Sequence, residues 1–186
     1  MVARDLGRVR RTAPDRGRRL TGKLPSSEAP VERPDRAQGT VMQGDRRKAY
    51  RPIPPDLRRA ALESGLAAFG RGDFFLAHEL LEPAWMGTSD LAERALYQGL
   101  IKLAAGYVHA VRGNPVGFAR NLRGAREHLE TSRRLDPAVA DGFGIDLPVL
   151  IPKVEACLAA VATVTEALAE ARGPLIDLLP PPPQIR

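Results

Sequence analysis

One short segment of the chain concentrates residue types that bind metals or transfer protons. Residues 74–85 read FFLAHELLEPAW, and His78, Glu79 and Glu82 stand there among side chains that suit a hydrophobic core. On a helix, His78 and Glu82 lie one turn apart on the same face, and Glu79 lies about 100 degrees away. An imidazole nitrogen and a carboxylate oxygen at this spacing are a ligand pair for a divalent transition metal. The segment therefore raises a metal site as one interpretation.

A second polar line follows a downstream helix. Gln98, Lys102, His109 and Arg112 recur at helical spacing in ALYQGLIKLAAGYVHAVR. If the two helices are neighbours, His109 is a third ligand candidate beside His78 and Glu82. The first segment also resembles the H-E-x-x-H pattern of zinc proteases, but Glu82 occupies the position of the second histidine. Neither line dictates a complete ligand set by spacing alone.

The alternative to a metal site is a polar network buried between helices. A carboxylate in a core requires partners, because leaving it unpaired costs several kcal/mol. Glu82 paired with His78, Arg112 or the indole of Trp85 would meet that requirement and fix how the helices dock. We favour this interpretation, with Trp85 as core. A third interpretation is a small-molecule or peptide pocket, and its lining would be Trp85, Tyr97, Gln98 and His109.

Composition and the residues that end or cap helices predict the helices that carry these side chains. Ala, Leu, Arg and Glu dominate and only 5% of residues are aromatic, which favours an all-α fold. The patterns GRGD and RGNP end one helix and cap the next. Pro83 predicts a kink or an early end of the second helix. Gly99 and Gly106, which lie on one side of the third helix, predict that another helix approaches closely there. Helical spacing predicts five helices, over about 56–69, 74–86, 91–111, 115–135 and 146–172.

Two turn-into-helix units, GRGDFFLAHELLE and VRGNPVGFARNLRGARE, lie about 41 residues apart. Two helical hairpins stacked in parallel register would explain this weak repeat. The sequence thus predicts a compact bundle of about five helices with tetratricopeptide-like stacking. A single domain is expected over residues 51–173, followed by a Pro-rich tail at 174–186.

The positive charge is concentrated in the N-terminal segment. Residues 1–51 hold 14 of the 28 Lys and Arg and 6 of the 22 Asp and Glu, so this segment carries a net charge of +8 and the rest of the chain −2. Residues 1–50 show no helical or strand periodicity and are predicted to be a disordered basic arm. Met42 offers a second interpretation, in which translation starts there and the preceding residues are a miscalled start.

The cysteine count and the hydropathy of the sequence predict the cellular compartment of the protein. Cys157 has no second cysteine with which to form an intramolecular disulfide, so a reducing compartment fits, and we expect Cys157 to be a small buried hydrophobe. No run reaches the roughly eighteen apolar residues of a membrane span, and no secretory signal follows the first basic cluster. We expect a cytoplasmic protein without membrane association.

Three stretches resemble a known family. FGRGDFFLAHELLEPAW, ALYQGLIKLAAGYVHAVRGNPVGFARNL and GIDLPVLIPKV resemble domain-of-unknown-function family 309, over about residues 57–160. The signature combines G-D-x-F-x-A-H-E-x-L-E-x-x-W with Q-G-L-I-x-L-A and H-x-x-R-G-N. The resemblance implies a compact all-α domain with tetratricopeptide-like packing and no agreed activity. Pro83 and Lys102 depart mildly from the family pattern.

These observations predict a non-catalytic helical module that docks a protein partner, with the His/Glu cluster as a buried structural network. The first alternative is a metal-dependent hydrolase centred on His78, Glu79, Glu82 and His109, with a divalent transition metal as cofactor. The second is nucleic-acid binding through the Arg-rich arm and the outer face of the fourth helix. Glycine-rich phosphate loops and nucleophile elbows do not occur in the sequence. The partner and the oligomeric state stay open.

Overall fold

The helices predicted from the sequence form an all-α bundle. The computed structural model describes residues 40–43, 46–49, 52–167 and 175–185. The helices in these ranges are α1 (Pro55–Gly70), α2 (Phe74–Gly87), α3 (Leu91–Val111), α4 (Pro115–Leu135), α5 (Pro137–Gly142), α6 (Leu147–Ala167) and α7 (Leu175–Leu178). The all-α class is confirmed, and α5 and α7 are additions to the five predicted helices. The tetratricopeptide-like stacking stays a prediction.

Side-chain caps explain where most helices begin. Asp73, Asp90 and Asn114 each accept a hydrogen bond from the backbone N–H three residues ahead, and Asp146 does the same at the start of α6. The predicted cap Asp56 is wrong, because α1 begins at Pro55 and Asp56 lies inside its first turn. An acidic side chain there still interacts favourably with the helix dipole.

Pro83 does not end α2. The helix continues to Gly87, one residue past its predicted end at about Met86, so the early-end alternative is wrong and the kink stays a prediction. Proline removes one backbone hydrogen bond, but the last turn of α2 places Ala84 and Trp85 in the core, where both are buried. Burial of a tryptophan contributes more than the lost hydrogen bond costs.

α3 is the central helix and packs against both α2 and α4. A Cβ on Gly106 would overlap Leu122 of α4, and one on Gly99 would lie 2.7 Å from Leu129 Cδ2. These glycines therefore permit the close approach that the sequence predicts. At the C-terminal half of α3, Tyr107 packs against Phe74 at a ring-centroid distance of 4.9 Å and against Phe118 at 5.3 Å. The aromatic contacts join α2, α3 and α4.

The C-terminal segment packs against the core instead of forming a free tail. Leu175, Leu179 and Pro183 are buried, and Ile185 is partly buried against the core. The prediction of a tail over 174–186 is therefore wrong for these residues, because four apolar side chains of the segment reach the bundle. Cys157 on α6 is buried, as expected.

Two short strands lie ahead of the helices. β1 (Thr40–Gln43) and β2 (Arg46–Ala49) pair in antiparallel register, Thr40 opposite Ala49. This hairpin departs from the expectation that residues 1–50 have no regular structure. The rest of that arm, and the predicted end of the last helix at Arg172, lie outside the described residues. In the part of the chain that the structure describes, no helix combines the length and hydropathy needed to cross a membrane.

Candidate functional site

The outer face of α2 carries the group of residues that the sequence singled out first. One donor atom each from His78, Glu79 and Glu82 lies within 4.8 Å of the other two, and we call these three residues the α2 cluster. His78 Nδ1 lies 3.1 Å from Glu79 Oε1. The His78 side chain is 28% exposed and that of Glu79 is 51% exposed. The α2 cluster is therefore a surface group with converging nitrogen and oxygen donors.

The α2 cluster is less buried than the sequence predicts, and its role as a structural network stays a prediction. Glu79 is exposed, and His78 and Glu82 are half-buried at the border of the helix face. The inner face of α2 is formed by Phe74, Ala77, Leu81, Ala84 and Trp85. These apolar residues are the part of α2 that enters the core, and the polar residues beside them stay nearer the surface.

His109, the ligand candidate of the second polar line, lies in a different contact from the α2 cluster. His109 Nδ1 lies 3.3 Å from Asn114 Nδ2, in the turn between α3 and α4, and the ring packs over Gly117. Arg112 is exposed at the C-terminal end of α3, and Gln98 is half-buried on α3. His109 is not among the residues whose donor atoms converge with His78. Its predicted role as a ligand stays untested.

The predicted pocket around Trp85 is also wrong. Trp85 and Tyr97 are 1% and 0% exposed, so neither ring lines a surface cavity. The guanidinium of Arg94 lies 5.9 Å from the Trp85 ring centroid. Trp85 is core, which is the role that the sequence favoured.

A buried polar network surrounds Glu93 at the start of α3. Glu93 receives two hydrogen bonds from the Arg58 guanidinium, at 2.8 Å and 3.0 Å, and one from Thr88 Oγ1 at 2.6 Å. The Glu93 side chain is 8% exposed and that of Arg58 16%. A paired guanidinium and carboxylate form the strongest common side-chain hydrogen bonds. Glu93 therefore connects α1, the α2–α3 turn and α3.

Tyr97 lies beside this network, one turn further along α3. Its hydroxyl donates to the Arg58 backbone carbonyl at 3.3 Å. Burial raises the pKa of Tyr97 above its ordinary value, and the nearby negative charge of Glu93 raises it further. The phenol therefore stays neutral and serves as a hydrogen-bond donor that holds α3 against α1.

The network borders a cavity of about 550 Å³ between α1, the start of α3 and α5. Arg58 and Glu93 line it together with Arg59, whose guanidinium lies 5.1 Å from the Phe143 ring centroid and donates to Gly142 O at 2.8 Å. Arg58, Arg59, Asp90 and Glu93 of this lining form hydrogen bonds within the protein. The polar groups of the cavity wall therefore serve largely to join the helices.

A second cavity, of about 260 Å³, lies at the opposite end of α3. Phe75, Val108, Val111 and Arg112 line it with the turn that opens α2, and we call these four residues the Phe75 patch. Phe75 is 60% exposed and Val111 55% exposed. This patch was not predicted, although one signal was present: adjacent residues on a helix point about 100 degrees apart, so Phe74 and Phe75 cannot both face the centre of the core.

The comparisons with known proteins support the family resemblance. Residues 62–121 match the model of a family described as a domain of unknown function, DUF309. The matched range contains α2, α3 and the start of α4, and with them the α2 cluster and the Phe75 patch. No curated protein and no solved structure matches the chain.

Proposed function

We propose that this member of the DUF309 family is a non-catalytic helical module that docks a protein partner through the Phe75 patch. The observation that carries the proposal is a phenylalanine that is 60% exposed beside a cavity and next to a second exposed apolar side chain, Val111. Contiguous apolar surface of this kind is typical of an interaction site, whereas single exposed apolar residues are ordinary.

The chemistry of the patch favours an acidic amphipathic partner. Arg112 lines the cavity and Arg71 precedes Gly72 of the same lining, and both arginines are exposed. The carboxylate of Asp73 already accepts the Leu76 N–H. A short helix with one or two apolar anchors flanked by Asp or Glu would bury the anchors on Phe75 and pair its carboxylates with the arginines.

The catalytic alternative has less support from the geometry. A hydrolase centred on the α2 cluster needs a substrate cavity beside it. Three cavities of the described residues, namely the one beside Glu93, the one at the Phe75 patch and one lined by Lys153 and Cys157, have linings without His78, Glu79 or Glu82. The docking proposal keeps the cytoplasm as its compartment, on the cysteine argument given for the sequence.

Nucleic-acid binding is the second alternative, and one feature of α4 favours it. Four arginines are exposed along this helix: Arg120, Arg123, Arg133 and Arg134. Phosphate contacts by such residues would give binding that weakens steeply with salt. Measurement of duplex and single-strand binding by the full chain at low and moderate salt tests this alternative, and absent or salt-independent binding contradicts it.

Selection from a displayed library of short random peptides tests the docking proposal directly. We expect the full-length protein to select sequences that combine apolar residues with Asp and Glu. Phe75→Ala should weaken the selected peptides by about 2 kcal/mol, as expected for a buried aromatic anchor. Arg112→Glu should reverse the charge preference. Leu91→Ala is the matched control, because Leu91 is also a large exposed apolar residue, 65% exposed, at the other end of α3.

Two outcomes would contradict the proposal. One is selected peptides that bind the Phe75→Ala variant as tightly as the wild type, with both proteins equally folded by circular dichroism. The other is a library that yields no sequence with saturable binding at micromolar concentrations.

A further inference from the structure

We propose that the α2 cluster is a Zn²⁺ site, formed by one imidazole nitrogen of His78 and carboxylate oxygens of Glu79 and Glu82. The site goes beyond partner docking and does not depend on it. Three potential ligand atoms, one from each residue, already lie within 4.8 Å of one another. Ligands of a single Zn²⁺ at about 2.0–2.2 Å lie about 3–4 Å apart, so small side-chain rotations complete the approach.

The backbone beneath the cluster is fixed by the core. Ala77, Leu81 and Trp85 alternate with the three ligand residues along α2, and all three are buried. The spacing of the donors along the helix is therefore set before a metal arrives, which lowers the cost of ordering the site. The side chains of Glu79 and His78 are exposed enough to adjust and to admit an ion from solvent.

Charge and ligand type select the ion. α2 contains two glutamates and neither Lys nor Arg, so its outer face favours a cation. One nitrogen and two oxygens suit Zn²⁺, which binds His and carboxylates with four ligands, and leave a coordination position for water or a partner's side chain. Mg²⁺ and Ca²⁺ prefer all-oxygen sites with more ligands. The contact between His78 Nδ1 and Glu79 Oε1 at 3.1 Å keeps the two donors together.

The three histidines of the chain make the test specific. Zn²⁺ is titrated into the full-length protein while the imidazole ¹⁵N–¹H signals of His78, His109 and His128 are followed by nuclear magnetic resonance. We expect saturation at one equivalent, with the His78 signals shifted and those of His109 and His128 unchanged. Mg²⁺ at the same concentrations should shift none of them.

Variants then assign the ligands. His78→Ala should abolish the one-equivalent Zn²⁺ binding seen by calorimetry, and Glu82→Gln should weaken it on the order of tenfold or more, since even residues that only orient ligands have effects of this size. His109→Ala is the control and should bind Zn²⁺ like the wild type. Circular dichroism checks the fold of each variant, and His78→Gln replaces His78→Ala if the alanine variant unfolds.

Two results would overturn the proposal. One is Zn²⁺ affinity that is equal in the wild type and in a folded His78 variant, which would indicate adventitious binding only. The other is a titration without saturation, or one in which His109 or His128 shifts in place of His78.

Discussion

Glu93 on α3 and Glu79 on α2 belong to the same bundle, yet their surroundings are opposite. The Glu93 side chain is 8% exposed and accepts hydrogen bonds from Arg58 and Thr88, whereas the Glu79 side chain is 51% exposed and contacts His78 on the same helix. Glu93 joins residues 35 positions apart in the chain. Glu79 contacts His78, the residue directly before it in the chain.

The difference separates a structural role from a binding role. A buried carboxylate with several donors stabilises one arrangement of the helices, because removing any partner leaves a desolvated charge. A surface carboxylate contributes little to folding and remains accessible to an ion or a partner. The structural role is seen at Glu93, whereas the structural role predicted for Glu82 and the α2 cluster stays a prediction.

The largest expected effect comes from the buried carboxylate. Glu93→Ala removes the carboxylate that pairs with the half-buried Arg58 guanidinium, and we expect the free energy of unfolding to fall by about 2–4 kcal/mol. Glu79→Ala is the matched control on the exposed face and should change stability by no more than about 0.5 kcal/mol. Urea unfolding followed by circular dichroism measures both.

A double variant sharpens this contrast. Arg58→Met combined with Glu93→Leu removes both charges, and it should recover much of the stability lost in Glu93→Ala, because no unpaired charge remains. Equal losses for Glu93→Ala and Glu79→Ala would show that the two carboxylates do not differ as argued.

A threonine of the same network should give an intermediate effect. Thr88 is buried and donates to Glu93 Oε2 at 2.6 Å, and its oxygen also accepts the Asp90 N–H at 3.2 Å. Thr88→Val removes both bonds, and we expect a loss of about 1–3 kcal/mol in unfolding free energy.

Thr131→Val is the control for this substitution. Thr131 is half-exposed on α4, and its hydroxyl donates to Glu127 O, so water can replace its hydrogen bond. We expect a change below about 0.5 kcal/mol for this variant. A Thr88→Val variant as stable as Thr131→Val would mean that the α2–α3 turn does not depend on the network.

The fold was largely predictable from local signals. Asp73 and Asn114 mark helix starts because a cap forms with residues three positions ahead, and α3 was predicted with its observed ends. α5 and the packed C-terminal segment were missed. One is six residues long, and the other is held by contacts between α7 and α3 that no local pattern encodes.

The site was less predictable because it depends on distant partners. Asp90 and Glu93 follow the D-x-x-E spacing of a capping pair, which places Glu93 in a first helical turn, but nothing in that spacing points to Arg58. Helical spacing placed His78 on the same face of α2 as Trp85. In the structure Trp85 is buried, but His78 lies at the edge of that face and is half-buried. Periodicity gives a direction around a helix, whereas the depth of burial is set by the neighbouring helices.

The smallest expected effect on stability comes from His128, a half-buried histidine on α4. Burial lowers the pKa of His128 below its ordinary value of 6.5, and the positive charge of Lys102 lowers it further, while Glu127 acts in the opposite direction. Gly124 of α4 leaves space for the Lys102 side chain, whose Cδ would lie 3.5 Å from a Cβ at that position. The Lys102 side chain of α3 can therefore extend past α4 at Gly124, one helical turn before His128.

The sign of the pH dependence follows from this lowered pKa. Below about pH 6.5 the unfolded chain binds a proton at His128 more readily than the folded protein, so the contribution of His128 to stability is complete above that pH and falls as the pH drops below it. We expect His128→Gln to lose less stability than the wild type between neutral pH and pH 5, measured by urea unfolding at each pH. His109→Gln controls for the loss of an imidazole elsewhere. If wild type and His128→Gln lose stability in parallel, then protonation of His128 is not coupled to folding, and the contact with Lys102 does not disfavour the charged ring.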